Sequence, residues 1–265
     1  MTVWTSVPVT GFATGTGTDA TALQTLTVPS NAHYLVSIKA EVHSTAPAPA
    51  ESLTGIVSLT GLDWQNSDYQ FFTEIGGSHL GAINGNPYYQ SARFWKAYQP
   101  VTPNSQIGVT YEPLDAEAGN GFVQILAKWS DTDLGKAPVN RKATTETSTS
   151  TSTIPSLTLS GCQRITELTF AVSSSTISGD DPASYILEVN SGNLVGQQTI
   201  QAIANLHGIE ATSGQEVTYL NQNEVSIDVN RSMTNSVTFN GTVTESVALG
   251  TAGQYAYSIG YNRTA

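Results

Sequence analysis

The second half of this chain echoes the first at a spacing of about 130 to 134 residues. Leu26-Thr27-Val28 returns as Leu157-Thr158-Leu159, and the run 34–42 (YLVSIKAEV) has its counterpart in 165–172 (ITELTFAV). Residues 55–59 with Gly61 are matched by 185–189 with Gly192. Ala118-Gly119 followed by 122–129 (FVQILAKW) returns as Ala252-Gly253 followed by 255–261 (YAYSIGY). The gaps are kept as well: 17 residues separate Val42 from Leu59, and 17 separate Val172 from Val189. This period is too long for a solenoid unit or a propeller blade and fits one β domain. The chain is therefore read as two similar all-β domains in tandem, related by internal duplication.

The local pattern agrees. In 34–42, Tyr34, Val36, Ile38, Ala40 and Val42 fall on one face, while Leu35, Ser37, Lys39 and Glu41 fall on the other, as in a half-buried antiparallel strand. Further strands are expected at 23–28, 56–62, 106–111, 217–220, 224–229, 236–239 and 242–247. No amphipathic helix is interleaved at regular intervals, which favours a β-sandwich or jelly roll over a βαβ fold. A short helix is expected at 197–206 (QQTIQAIANL), where Ile200, Ile203 and Ala204 share a helical face, and 69–83 is ambiguous in the same way. The expected organisation is a first jelly-roll domain at 1–134 with an N-terminal arm, a Thr/Ser-rich linker at 135–153, and a second jelly-roll domain at 154–265. An alternative reads 144–153 (TTETSTSTST) as an edge lead-in to the second barrel.

Charge excludes several function classes. Net charge is −11, and the ten Lys and Arg are scattered, with Arg141-Lys142 their only adjacent pair. Gripping a phosphate backbone or an anionic lipid surface requires a concentrated basic face, so neither direct nucleic-acid binding nor membrane docking is expected. No run approaches a membrane span. Met1-Thr2-Val3-Trp4 lacks a basic start and an apolar stretch, so no leader is expected and synthesis in a host cytoplasm follows. The single cysteine, Cys162, rules out an internal disulfide and is read as a small buried residue.

Catalytic signatures are missing from the sequence. His33, His43, His79 and His207 form no HxH or HExxH pair, and there is no GxSxG elbow. Gly76-Gly77 and Gly81 lack the Lys of a phosphate loop. Glu112, Asp115 and Glu117 follow a strand closely enough to supply some oxygens to a weak Ca²⁺ site, the alternative being a solvated acidic loop. No other cofactor or metal is expected, and no catalytic residue is singled out. The one compositional anomaly is aromatic: Trp64, Tyr69, Phe71, Phe72, Tyr88, Tyr89, Phe94, Trp95 and Tyr98 crowd one stretch, whereas 193–230 in the second half holds only Tyr219. Three readings stand: an aromatic core, a subunit interface, or a sugar-stacking platform.

Taken with LTVPSNAHYLVSIKAEV and FVQILAKW bounding the first half, and SLTLSGCQRITELTFAV and YAYSIGY bounding the second, the chain resembles the double jelly-roll capsid proteins of tailless icosahedral phages, archaeal viruses and adenovirus-like viruses. That resemblance implies a virion protein without catalytic residues, partnered by itself as a homotrimer of pseudo-sixfold outline and by other capsid proteins. The alternatives are a vertex turret or spike, a receptor- or carbohydrate-binding protein, and a glycan-active β-sandwich enzyme.

Overall fold

The computed structural model describes residues 3–5, 9–12, 21–44, 53–62, 69–74, 93–113, 121–148, 153–174, 183–191, 199–206, 208–209, 218–219, 224–233, 236–245 and 253–263. These residues form strands and turns with no helix. The first half contributes β1 (Val3–Thr5), β2 (Val9–Phe12), β3 (Thr21–Ala22), β4 (Leu26–Thr27), β5 (Tyr34–Ser44), β6 (Leu53–Thr60), β7 (Tyr69–Glu74), β8 (Trp95–Pro100), β9 (Gln106–Pro113) and β10 (Gly121–Ser130). The second contributes β11 (Asn140–Ser148), β12 (Thr153–Leu159), β13 (Cys162–Ser174), β14 (Ala183–Asn190), β15 (Thr199–Leu206), β16 (Gly208–Ile209), β17 (Thr218–Tyr219), β18 (Glu224–Ser232), β19 (Val237–Glu245) and β20 (Gly253–Arg263).

The two halves share one strand order. In the first, β1 and β2 both pair with β10, which pairs with β5 and then β8; the facing sheet runs β7, β6, β9, with β3 and β4 both on β9. In the second, the order is β11-β20-β13-β18, faced by β15-β14-β19-β12. Counting β1 with β2 and β3 with β4, and apart from the short β16–β17 pair, the described strands of each half form a jelly roll of two four-strand sheets. Each barrel encloses its own core. Leu35, Ile38, Phe71, Val109 and Ile125 belong to the first, and Leu159, Leu168, Phe170, Leu187 and Phe239 to the second.

The barrels are welded rather than strung together. Tyr69 of β7 and Arg141 of β11 form a parallel bridge that joins one sheet of the first barrel to one sheet of the second. Ala143, Ala171 and Ala256, on second-barrel strands, pack into the first barrel's core cluster. The crossing segment is pinned to both sides, with the Val139 amide donating to the Ala97 carbonyl at 2.7 Å and the Asn262 amide donating to the Pro138 carbonyl at 2.7 Å.

Three expectations meet a different structure. Much of the stretch 135–153, expected as a linker, is strand: β11 pairs along its whole length with β20, from Asn140 opposite Tyr261 to Ser148 opposite Gly253. A Thr-rich tract has little apolar surface, yet β-branched Thr fits a pleated sheet. The helix expected at 197–206 is strand β15, which pairs residue for residue with β14. Ile200, Ala202 and Ala204 point inward and Ile203 is 52% exposed, a period of two that sheet pairing imposes over the helical spacing of Ile200, Ile203 and Ala204. Tyr69–Glu74 of the ambiguous first-half stretch is likewise a strand, and residues 75–83 lie outside the described residues. The two strands expected at 236–239 and 242–247 are one, β19. Gly241 lies in its middle because a Cβ there would come 3.2 Å from the Tyr257 ring.

Candidate functional site

The described part of the aromatic stretch builds the seam between the barrels. Tyr69, Phe71 and Phe72 of β7 are buried, and Trp95 at the head of β8 is 3% exposed. Trp95 meets Phe72 edge-on at 5.1 Å between ring centroids and Phe71 at 5.9 Å, a favoured arrangement for rings with negative faces and positive edges. Two guanidiniums lie over the same indole: the Arg93 Cζ is 4.4 Å from its centroid and the Arg141 Cζ 4.7 Å. Arg93 precedes β8 in the first barrel, while Arg141 opens β11 in the second.

Two like charges share one ring because Glu167 of β13 takes one on each oxygen. Arg93 Nη2 donates to Glu167 Oε1 at 2.8 Å, and Arg141 Nη2 donates to Oε2. Arg93 also pairs with Glu224 and donates to the Thr169 and Ser226 hydroxyls at 3.3 and 3.2 Å. Arg141 donates to the Ser258 hydroxyl at 3.1 Å, and Ser226 donates to Glu167 at 2.7 Å. Arg141 is wholly buried, and the Glu167 side chain is 6% exposed. Removing charges from water is costly, so such a cluster persists only when each charge has both a partner and hydrogen bonds.

Electrostatics define what the cluster can do. Burial pushes the Glu167 carboxyl up, but Arg141, the Ser226 hydroxyl and Arg93 outweigh it and hold the group at about 2, against an ordinary 4.5. A general acid needs the opposite shift, toward neutral pH. The two arginines and two glutamates cancel in charge and act as a clamp. Tyr69 is pushed up to about 12, chiefly by burial and against the pull of Arg141, and its hydroxyl donates to the Lys96 carbonyl at 2.7 Å. Cys162 is buried, and desolvation raises its thiol to about 12, so it packs as a small apolar group.

The other aromatics separate. Phe94 is half-buried beneath the ammoniums of Lys39 and Lys128, at 5.2 and 3.8 Å from its centroid. Tyr98 is half-buried in β8 with a φ of 48°. Trp64, Tyr88 and Tyr89 lie outside the described residues. So do Asp115 and Glu117, while Glu112 is exposed on β9. The aromatic signal thus located half of the seam. Its charged half was hidden, since Arg93, Arg141, Glu167 and Glu224 are far apart in sequence and carry no motif.

Among the described residues, the seam has an equivalent in the first barrel that is only half-covered. Ile259 opposite Leu168 in the second barrel occupies the place of Ala127 opposite Ile38 in the first. On the outer side of these sheets, Ser258 opposite Thr169 therefore corresponds to Leu126 opposite Lys39, and Gly260 opposite Glu167 to Lys128 opposite Ser37. In the second barrel this outer face is small and buried: residues 255–261 of β20 are buried on both sides, and a Cβ on Gly260 would lie 3.0 Å from Arg141 Nη2. In the first barrel Gln124, Leu126, Lys128 and Lys39 on this face are only half-buried.

No protein-family model matches the chain, and no curated relative matches its sequence. Among solved structures it is similar to PNGF-II, with a TM-score of 0.50 at 11% identity over 96% of this chain. It spans 62% of the length of that PNGF-II chain. It is also similar to a chain of Sulfolobus Turreted Icosahedral Virus, with a TM-score of 0.45 at 13% identity over 98% of this chain and 90% of that one. A third likeness is to the major capsid protein of bacteriophage PM2, with a TM-score of 0.41 at 8% identity over 99% of this chain and 98% of that one. At such identities a likeness speaks of fold alone, and one fold hosts many functions. By its own strand order, repeated in both halves, the chain is an all-β, double jelly-roll protein.

Proposed function

We propose that the chain is a structural subunit of a virion capsid that assembles with copies of itself into a homotrimer and then with other capsid proteins. One observation carries this reading: among the described residues, the outer sheet face covered in the second barrel is left half-open in the first. The covering element is the β7–β8 side of the first barrel. Its counterpart in the second barrel is led by β15, which ends its sheet among the described residues and carries the exposed Ile203. A second copy can repeat the internal junction by laying its β15 side on the open face. Such a contact is heterologous and generates a ring if the rotation closes. Closure after three chains, six barrels in all, is what the resemblance to double jelly-roll capsid proteins implies. The face is cationic through Lys39 and Lys128, and Glu188 on β14, beside β15, supplies the opposite sign. Glu167, held ionised, gives a glycan-hydrolysing reading no acid catalyst at the seam. Electron microscopy of the purified protein tests the proposal. Three-fold particles of hexagonal outline are expected, and particles no larger than one chain at all concentrations would overturn it.

A further inference from the structure

At one end of the seam, where residues 136–139 cross between barrels, two adjoining cavities of about 540 and 220 Å³ share Ala137 and Asn262 as lining residues. Their charge is the reverse of the chain's. Lys96, Lys136, Arg141, Arg164 and Arg263 line them, which is five of the ten Lys and Arg in a chain of net charge −11. Only two carboxylates share that lining, and both are engaged: Glu167 with Arg141, and Asp228 with Lys96 at 3.8 Å.

A strained aromatic completes the wall. The β5–β8 register slips between Leu35 opposite Gln99 and Ser37 opposite Lys96, and Tyr98 sits in that irregularity with its φ of 48°. A bulky residue in the left-handed region is uncommon, and bulges recur where a side chain is re-aimed next to a site. Tyr98 lines the smaller cavity. Gln163 and Ser232, which carry a side-chain amide and a hydroxyl, line the larger one.

We infer that this cleft binds an acidic sugar, a saccharide residue bearing a carboxylate. A guanidinium presents paired donors that match a carboxylate. A tyrosine ring offers an apolar face to the C–H side of a pyranose with a polar edge beside it. Amides and hydroxyls supply both donors and acceptors for sugar hydroxyls. The larger cavity falls within the size of small-ligand sites. The inference does not rest on the capsid reading, since the cleft lies within one chain.

Calorimetric titration of the purified chain with N-acetylneuraminic acid, N-acetylmannosamine and inorganic phosphate, each separately, tests it. The acidic sugar is expected to bind saturably and at least about tenfold more tightly than the neutral sugar or phosphate. Arg164→Gln, at an exposed position, should weaken it about tenfold by removing the carboxylate partner. Tyr98→Asn should weaken binding while leaving Tm unchanged or raised, because Asn tolerates a positive φ. The inference is overturned if no acidic sugar binds saturably, if phosphate or the neutral sugar binds as well, or if both variants bind like the natural chain.

Discussion

Arg141 and Trp95 come from different barrels, yet the buried guanidinium of one lies 4.7 Å from the ring centroid of the other. Arg93 lies over the same ring at 4.4 Å, and Glu167 joins the two cations. This clamp, with the second-barrel alanines that join the first barrel's core, ties two separately cored barrels together.

Trp95→Ala should remove both the shared ring and the packing surface against Phe71 and Phe72. Truncating a buried Trp costs about 3 to 5 kcal/mol. Urea unfolding followed by circular dichroism should show a lower midpoint, and separate transitions for the two barrels would report their uncoupling.

The clamp is acid-sensitive in a defined window. Glu167 has a folded value of about 2 against an ordinary 4.5, so its ionised form stabilises the folded chain fully above about 4.5. That contribution, about 3 kcal/mol by linkage, fades as pH falls from 4.5 toward 2. Glu167→Gln should lower stability at pH 7 and flatten this part of the pH dependence, measured by denaturant midpoints from pH 7 to pH 2.5. A natural chain and variant that lose stability in parallel would show that Glu167 is not the group responsible.

Gly260 is required by closeness. A Cβ there would meet Arg141 Nη2 at 3.0 Å and Thr166 Oγ1 at 3.1 Å. Gly260→Val should displace the buried arginine and cost about 1 to 3 kcal/mol or more, read as a drop in thermal midpoint. Lys142→Ala, next to Arg141 but only half-buried, is the comparison and should shift the midpoint little.

Strand content was legible because period-two alternation survives in sequence, as in Val123, Ile125, Ala127 and Trp129, all buried on β10. The shared strand order of the two halves follows the spacing in the sequence where strand lengths match, as in β6 and β14 at eight residues each. Residues 197–206 misled because Ile203 is apolar and outward, completing a helical spacing that pairing with β14 overrides. Arg141 was hidden for another reason: a charged residue ahead of a Thr-rich tract reads as solvated until Glu167, 26 positions away, is brought to it by folding. The bulge at Tyr98 depends on the register of β8 against β5, which no local pattern encodes.

In the proposed assembly the half-open face of the first barrel receives another copy. Sedimentation velocity on the natural chain beside the double variant Lys39→Glu, Lys128→Glu tests it most directly. The natural chain should sediment at three times the 28.0 kDa of one chain, and the double variant should fall to a monomer that still unfolds in a cooperative transition, its midpoint lowered only by the lost contacts to Phe94. A natural chain that stays at 28.0 kDa at every concentration, or a variant that assembles as well as the natural chain, would contradict the account.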